Sequence, residues 1–139
     1  MPAALTGGCL CGAVRFEIDR RPETVSYCHC TRCQRRTGTG SSAQAAIEPG
    51  WLTFTSGDLD TVRWWRPPDG FAKGFCPQCG AHLFSRHQAD PSRMSVRLGA
   101  LDGDHGLRPQ FRIHVASAAS WEPVPQDGLP GYEGSRPVA

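Results

Sequence analysis

Lysine is almost missing from this chain: of 15 basic residues among 139, 14 are arginine. Arginine is the side chain suited to gripping carboxylates and phosphates in two-pronged fashion. Long apolar runs are missing too. Nothing approaches the ~20 consecutive apolar residues of a membrane-spanning helix, so no membrane partner is expected. The opening residues, Met1 to Gly8, contain neither a basic stretch nor an apolar stretch of the kind a secretory leader needs, so a cytoplasmic location is expected. Also absent are the phosphate-cradling G-x-x-x-x-G-K, the nucleophile elbow G-x-S-x-G and the zinc-protease H-E-x-x-H. The histidines His82, His87, His105 and His114 stand singly, with no partner at ligand spacing.

What the chain does have is cysteine, seven of them in three tight clusters: Cys9-Leu10-Cys11, Cys28-His29-Cys30-Thr31-Arg32-Cys33 and Cys76-Pro77-Gln78-Cys79. An odd count with no leader argues against a disulfide framework. Soft sulfurs bunched within a few residues suit tetrahedral zinc. Cys76-Pro77-Gln78-Cys79-Gly80 resembles a zinc knuckle, and Gly7-Gly8-Cys9-Leu10-Cys11-Gly12 is a second glycine-flanked pair. Together Cys9, Cys11, Cys76 and Cys79 can close one four-thiolate structural site across 64 intervening residues. Cys28, Cys30 and Cys33 offer three ligands and leave one coordination position open, the arrangement in which a metal does chemistry. In an extended Cys28-His29-Cys30 the two sulfurs share one face and His29 faces the other way, so His29 is expected to pack or orient rather than ligate.

Sixteen glycines and twelve prolines in 139 residues imply one loop-rich domain that gains from a metal staple. A structural zinc supplies about 10–16 kcal/mol of apparent binding energy, which counts towards folding. The formal charge is +2. A zinc with four thiolates contributes a net −2 and one with three a net −1, so the metallated chain loses its basic excess. A nucleic-acid partner is therefore not expected.

Alternation places strands at Val14-Phe16-Ile18, Leu52-Phe54, Met94-Val96-Leu98 and Phe111-Ile113-Val115, each with a polar opposite face that includes Arg97, Arg112 and His114. The only helical signal is Thr31 to Thr37, stopped by Gly38. The expected fold is mostly β with one short helical turn, a single domain over 1–139 with a core in 1–122 and an extended proline- and glycine-rich tail in 123–139. Trp64 and Trp65 beside Arg63 and Arg66 fit cross-strand packing better than a stacking surface for bases.

With those residues in view, the chain resembles the glutathione-dependent formaldehyde-activating family, also called the centromere protein V/GFA family. The resemblance rests on Gly7 to Glu17, on Tyr27-Cys28-His29-Cys30-Thr31-Arg32-Cys33-Gln34-Arg35-Arg36-Thr37-Gly38, on Gly74-Phe75-Cys76-Pro77-Gln78-Cys79-Gly80 and on Trp121 with Asp127-Gly128-Leu129-Pro130. It implies an Mss4-like zinc-binding β fold, a structural zinc on Cys9, Cys11, Cys76 and Cys79, and a catalytic zinc on Cys28, Cys30 and Cys33. It also implies a carbon–sulfur lyase that joins glutathione to formaldehyde. Where relatives often carry a histidine and, two residues on, an aromatic, this chain has Arg112 and His114. Arg35 and Arg36 are the candidate partners for substrate carboxylates, with a solvated helix face as the plainer reading of at least one. The alternative functions are a non-catalytic zinc module for protein or nucleic-acid binding, and thiol or metal sensing.

Overall fold

The computed structural model of the chain describes residues 3–137. Its strands and single α-helix are β1 (Leu5–Gly8), β2 (Arg15–Ile18), β3 (Val25–Cys28), α1 (Thr31–Thr37), β4 (Ser42–Ile47), β5 (Leu52–Ser56), β6 (Arg63–Trp65), β7 (Phe71–Phe75), β8 (His82–His87), β9 (Met94–Arg97) and β10 (Phe111–Ile113). The protein is thus mostly β, and α1 is the one α-helix among the described residues. Two compact units divide the chain: residues 1–23 with 45–106, and residues 24–44 with 107–139.

In the first unit β1, β2 and β5 form an antiparallel sheet with β2 central. The sequence alternation holds here: Val14, Phe16 and Ile18 are buried while Glu17 and Asp19 are exposed. Strands β6 to β9 form an antiparallel meander in chain order. Phe84 of β8 packs against Phe16 at a ring separation of 5.1 Å and edge-on against Phe54 at 6.2 Å. With Leu83 and Val96, both fully buried, these rings form the centre of the unit. Burying each such side chain contributes about 1.5–3 kcal/mol. The half-buried Trp64 lies across Gly74, its β-sheet partner, so that a Cβ at Gly74 would sit 3.0 Å from the indole. Trp65 points the other way and is half exposed.

In the second unit β3 and β10 pair in parallel, Ser26 opposite Phe111 and Cys28 opposite Ile113. Residues of the tail run along the same strand: the Arg112 N–H donates to the Pro130 carbonyl and the Tyr132 N–H to the Arg112 carbonyl, both at 2.9 Å. Tyr132 meets Phe111 edge-on at 6.0 Å. The helix α1 begins and ends where its local signals place it. Gly38 adopts the left-handed conformation at φ 70° and returns its N–H to the Gln34 carbonyl, a conformation that glycine takes without Cβ strain.

Two alternation readings are corrected. Leu98 and Val115 lie in short 3-10 turns rather than strands, and His114 turns the chain with a left-handed φ of 55°. Arg97 and Arg112, expected on polar faces, are buried. Each is buried because it has internal partners: Arg97 donates to the Ser85 hydroxyl at 2.8 Å, and Arg112 is tied to groups described below.

Candidate functional site

The first cysteine set is built by two knuckles of the same design. In one, the Cys9 N–H donates to the Val14 carbonyl at 3.0 Å and the Val14 N–H returns to Cys9 Sγ at 3.3 Å. In the other, the Cys76 N–H donates to the Ala81 carbonyl at 3.0 Å and the Gly80 N–H to the Cys76 carbonyl at 2.8 Å. Both loops turn back through a glycine with positive φ, Gly12 at 82° and Gly80 at 75°. The result brings Cys9, Cys11, Cys76 and Cys79 together, with all four Sγ atoms within 4.8 Å of one another.

Two separations decide whether a metal fits. Cys9 and Cys11 Sγ lie 3.7 Å apart, and Cys11 and Cys76 Sγ 3.8 Å. A zinc–sulfur bond of about 2.3 Å in a tetrahedron requires sulfur–sulfur edges of about 3.8 Å. The site fits zinc. Its thiols are also unequal: a hydrogen bond from the Ala81 N–H draws Cys79 down to about 6, whereas Cys11, despite a hydrogen bond from Ala13, is held up to about 11 by its sulfur neighbours and partial desolvation. For Cys9, burial opposes ionisation, but bonds from Val14, Cys11 and Cys76 bring it below the ordinary thiol value.

The second set lies wholly in the other unit. Cys28 ends β3, Cys30 is the N-cap of α1, and Cys33 lies one turn in. The Cys33 N–H donates to Cys30 Sγ at 3.3 Å, so a sulfur does the work usually done by a serine or aspartate oxygen. Sγ of Cys28, Cys30 and Cys33 lie within 4.8 Å of one another, and no fourth histidine, cysteine or carboxylate joins them among the described residues. Cys28 and Cys33 are buried and Cys30 half-buried. Hydrogen bonding to Cys30 and Cys33, together with burial, pushes the Cys28 thiol far above its ordinary range. Three soft donors converging on one point, with Cys28 holding its proton against the nearby sulfurs, are chemically matched to a thiophilic divalent metal.

His29 faces away from the sulfurs, as the extended backbone requires, and is buried. Its Nε2 accepts from Arg112 Nη1 at 3.1 Å, and its ring also bonds the Gly40 backbone. Burial, followed by the adjacent Arg112 cation, holds its imidazole below the ordinary pKa. Arg112 continues the chain to Asp127, donating to its carboxylate at 2.6 Å, and stacks over Tyr27 at 4.5 Å. This Tyr27, His29, Arg112 and Asp127 cluster fixes the strand-to-helix turn that carries the three sulfurs. The sequence reading missed it, because alternation assigned Arg112 to a solvated face and nothing local links it to Asp127.

Arg35 and Arg36 lie in the last turn of α1, exposed and half-buried respectively. Five and six residues beyond Cys30, they are about 8–9 Å along the helix axis from the sulfur end.

Two clusters of convergent cysteines, carried by the turns and the short helix that follow β-strands, define the class, a β protein with one four-sulfur and one three-sulfur metal-competent site. The family model described as glutathione-dependent formaldehyde-activating enzyme matches residues 4–117, and the chain belongs to that family. A relative from Halomonas elongata, provisionally named a glutathione-dependent formaldehyde-activating enzyme, is 28% identical over 125 residues, covering 80% of this chain and 73% of the relative. A crystal structure of a Rhodobacter sphaeroides protein matches with a TM-score of 0.56 at 24% identity, over 75% of this chain and 97% of that one, a likeness of fold. No helix of the described residues is long and apolar enough to cross a membrane.

Proposed function

We propose that the protein is a zinc-dependent carbon–sulfur lyase that forms or cleaves the adduct of a small aldehyde, formaldehyde or a close analogue, with a thiol such as glutathione. The observation that carries this reading is the convergence of Cys28, Cys30 and Cys33 with no fourth protein ligand beside them. In the forward direction the thiol sulfur bonds to the aldehyde carbon, the carbonyl π pair moves to oxygen, and that oxygen takes up the proton the thiol gives up. A zinc held by the three cysteines would supply Lewis acidity that keeps the incoming sulfur as thiolate at neutral pH.

The chain's own residues supply position. Cys30 sets the start of α1, and the Arg112 bridge between His29 and Asp127 holds the turn in one geometry. Arg35 and Arg36 are the cations on the same helix available to thiol-substrate carboxylates. Cys9, Cys11, Cys76 and Cys79 serve a structural zinc. The seven free thiols suit a reducing, cytoplasmic compartment.

The test is a cobalt-substituted protein titrated with glutathione and then formaldehyde. The expected result is a change in the visible spectrum on adding thiol, followed by capture of the aldehyde faster than in free solution, with both effects lost in Cys33→Ser. A spectrum indifferent to saturating thiol would overturn the reading, and a spectral change with no acceleration would reduce the site to binding or sensing.

A further inference from the structure

The first unit contains a cleft of about 410 Å³ that none of the cysteine chemistry uses. That volume is within the range of small-molecule sites, about 300–1,000 Å³. Its walls are of mixed character. Val62 and Trp64 contribute an apolar, partly aromatic surface, and Arg66 and Arg86 contribute two cations. The sheet brings the two arginines to the cleft: Ala72 of β7 pairs with Arg86 of β8, and Arg66 directly follows Trp65 of β6, whose partner is Lys73. Both arginines line the same cleft.

Neither guanidinium is neutralised. Arg86 uses its Nε–H on the Pro91 carbonyl at 2.9 Å, which fixes its stem and leaves both Nη groups for something else. Arg66 has no hydrogen bond or ion pair among the described residues. The one carboxylate on the cleft wall, Asp60, is six residues back along the chain from Arg66 and pairs with neither arginine. Two cations facing one small space repel each other until an anion sits between them. His87 closes the rim: its Nδ1 accepts the Ala89 and Asp90 N–H groups, both at 3.2 Å, and its ring packs edge-on against Phe71, its cross-strand partner, at 5.0 Å. The rim is built rather than loose: Gln88 Nε2 donates to the Pro67 carbonyl at 2.9 Å, the Gln88 N–H to Gly70 at 3.1 Å, and the His87 N–H to Arg93 at 2.9 Å.

We propose that this cleft is a binding site for a small organic carboxylate, its flat or apolar body against Trp64 and Val62 and its carboxylate held between Arg66 and Arg86. The geometry matches the ligand at both ends. A guanidinium pair offers more donors than one carboxylate has lone-pair sites, so charge-assisted bonds are satisfied from either side. An indole face takes a planar ring or alkyl chain by offset stacking. The site is independent of the metal-centre reading, because none of its residues is a cysteine or lies in the second unit.

The experiment uses the full chain, labelled with ¹⁵N, titrated with benzoate, with its uncharged isostere benzamide, and with inorganic phosphate. Benzoate is expected to give saturable shifts at the Trp64 indole N–H and the His87 and Gln88 amides, with benzamide, which lacks the charge, and phosphate, which lacks the ring, each at least about tenfold weaker. Arg66→Gln, at an exposed residue with no internal partner, is expected to fold normally and bind benzoate about tenfold more weakly. Arg86→Lys, which keeps the charge and loses the fork, is expected to fall between. Equal shifts from benzoate and benzamide, undiminished binding in Arg66→Gln, or shifts that avoid Trp64 would each overturn the proposal. Phosphate binding as tightly as benzoate would make this an inorganic anion site and overturn its apolar half.

Discussion

Replacing Cys76 by alanine tests whether the four-sulfur set supports the fold. Cys76 is fully buried, and its sulfur stands 3.8 Å from that of Cys11. The whole site is expected to contribute about 10–16 kcal/mol when metallated, which equals or exceeds the about 5–15 kcal/mol net stability of an ordinary domain. Loss of one ligand in four forfeits roughly a quarter of that, about 3–4 kcal/mol. At roughly 3–4 °C per kcal/mol for a chain of this size, the melting temperature of Cys76→Ala should fall by about 10–15 °C. The assay is thermal unfolding of wild type and variant, each with zinc and after chelation, alongside metal content. Chelation should destabilise the wild type more than the variant, since the variant has less to lose. An unchanged melting temperature in Cys76→Ala, or a chelated wild type as stable as the metallated one, would refute the structural assignment.

Cys30→Ala should leave the first unit's melting behaviour intact while abolishing thiol-dependent aldehyde capture; global unfolding of this variant would make the second cluster structural. Asp102 carries a pKa lowered by its hydrogen bonds from Arg15 and Thr6. A carboxylate depressed in the folded state stabilises above its unfolded pKa and loses that contribution as pH falls through the folded value, so the difference between wild type and Asp102→Asn should be present at pH 6 and shrink below about pH 4. Melts across that window measure it, and a pH-independent difference would contradict the assignment. Gly38→Ala, placing a Cβ at φ 70° with no neighbour within 4 Å, should cost about 1–2 kcal/mol from backbone strain alone, read as a shift in urea midpoint at constant slope; a cost below about 0.3 kcal/mol would mean the cap relaxes.

The parts of the structure legible in the sequence were those specified by neighbours in the chain. The span of α1, its stop at Gly38, the outward turn of His29 and the Cys28, Cys30 and Cys33 cluster follow from spacing within a dozen residues, and sulfur chemistry then joins the Cys9-Cys11 and Cys76-Cys79 pairs across the 64 residues between them. Strand β2 shows its alternation because one face is solvated. Strand β8 does not: Leu83, Phe84 and Ser85 are buried in succession, so no period of two appears. Strand β1 ends on two glycines, a poor strand signal, and β4 is mostly alanine, serine and glutamine. Buried Arg112 was unreadable for a different reason: its partner Asp127 is fifteen residues away in the tail, and only the folded chain brings the two together. The meeting of Arg66 and Arg86 in one cleft was hidden in the same way, since only the folded strands bring the two to it.

The double duty of Cys30 makes the second cluster self-reporting. Seven residues are too few to hold a helix in water unaided, and α1 starts from a sulfur that caps the Cys33 amide. Whatever engages that sulfur therefore competes with, or reinforces, the first turn of the helix. Amide exchange at Cys33, Gln34 and Gly38, whose N–H groups bond to Cys30 Sγ and to the Cys30 and Gln34 carbonyls, becomes a native clock for occupancy of the site: slow when the cap is locked and quick when it is released, readable without any label on the substrate.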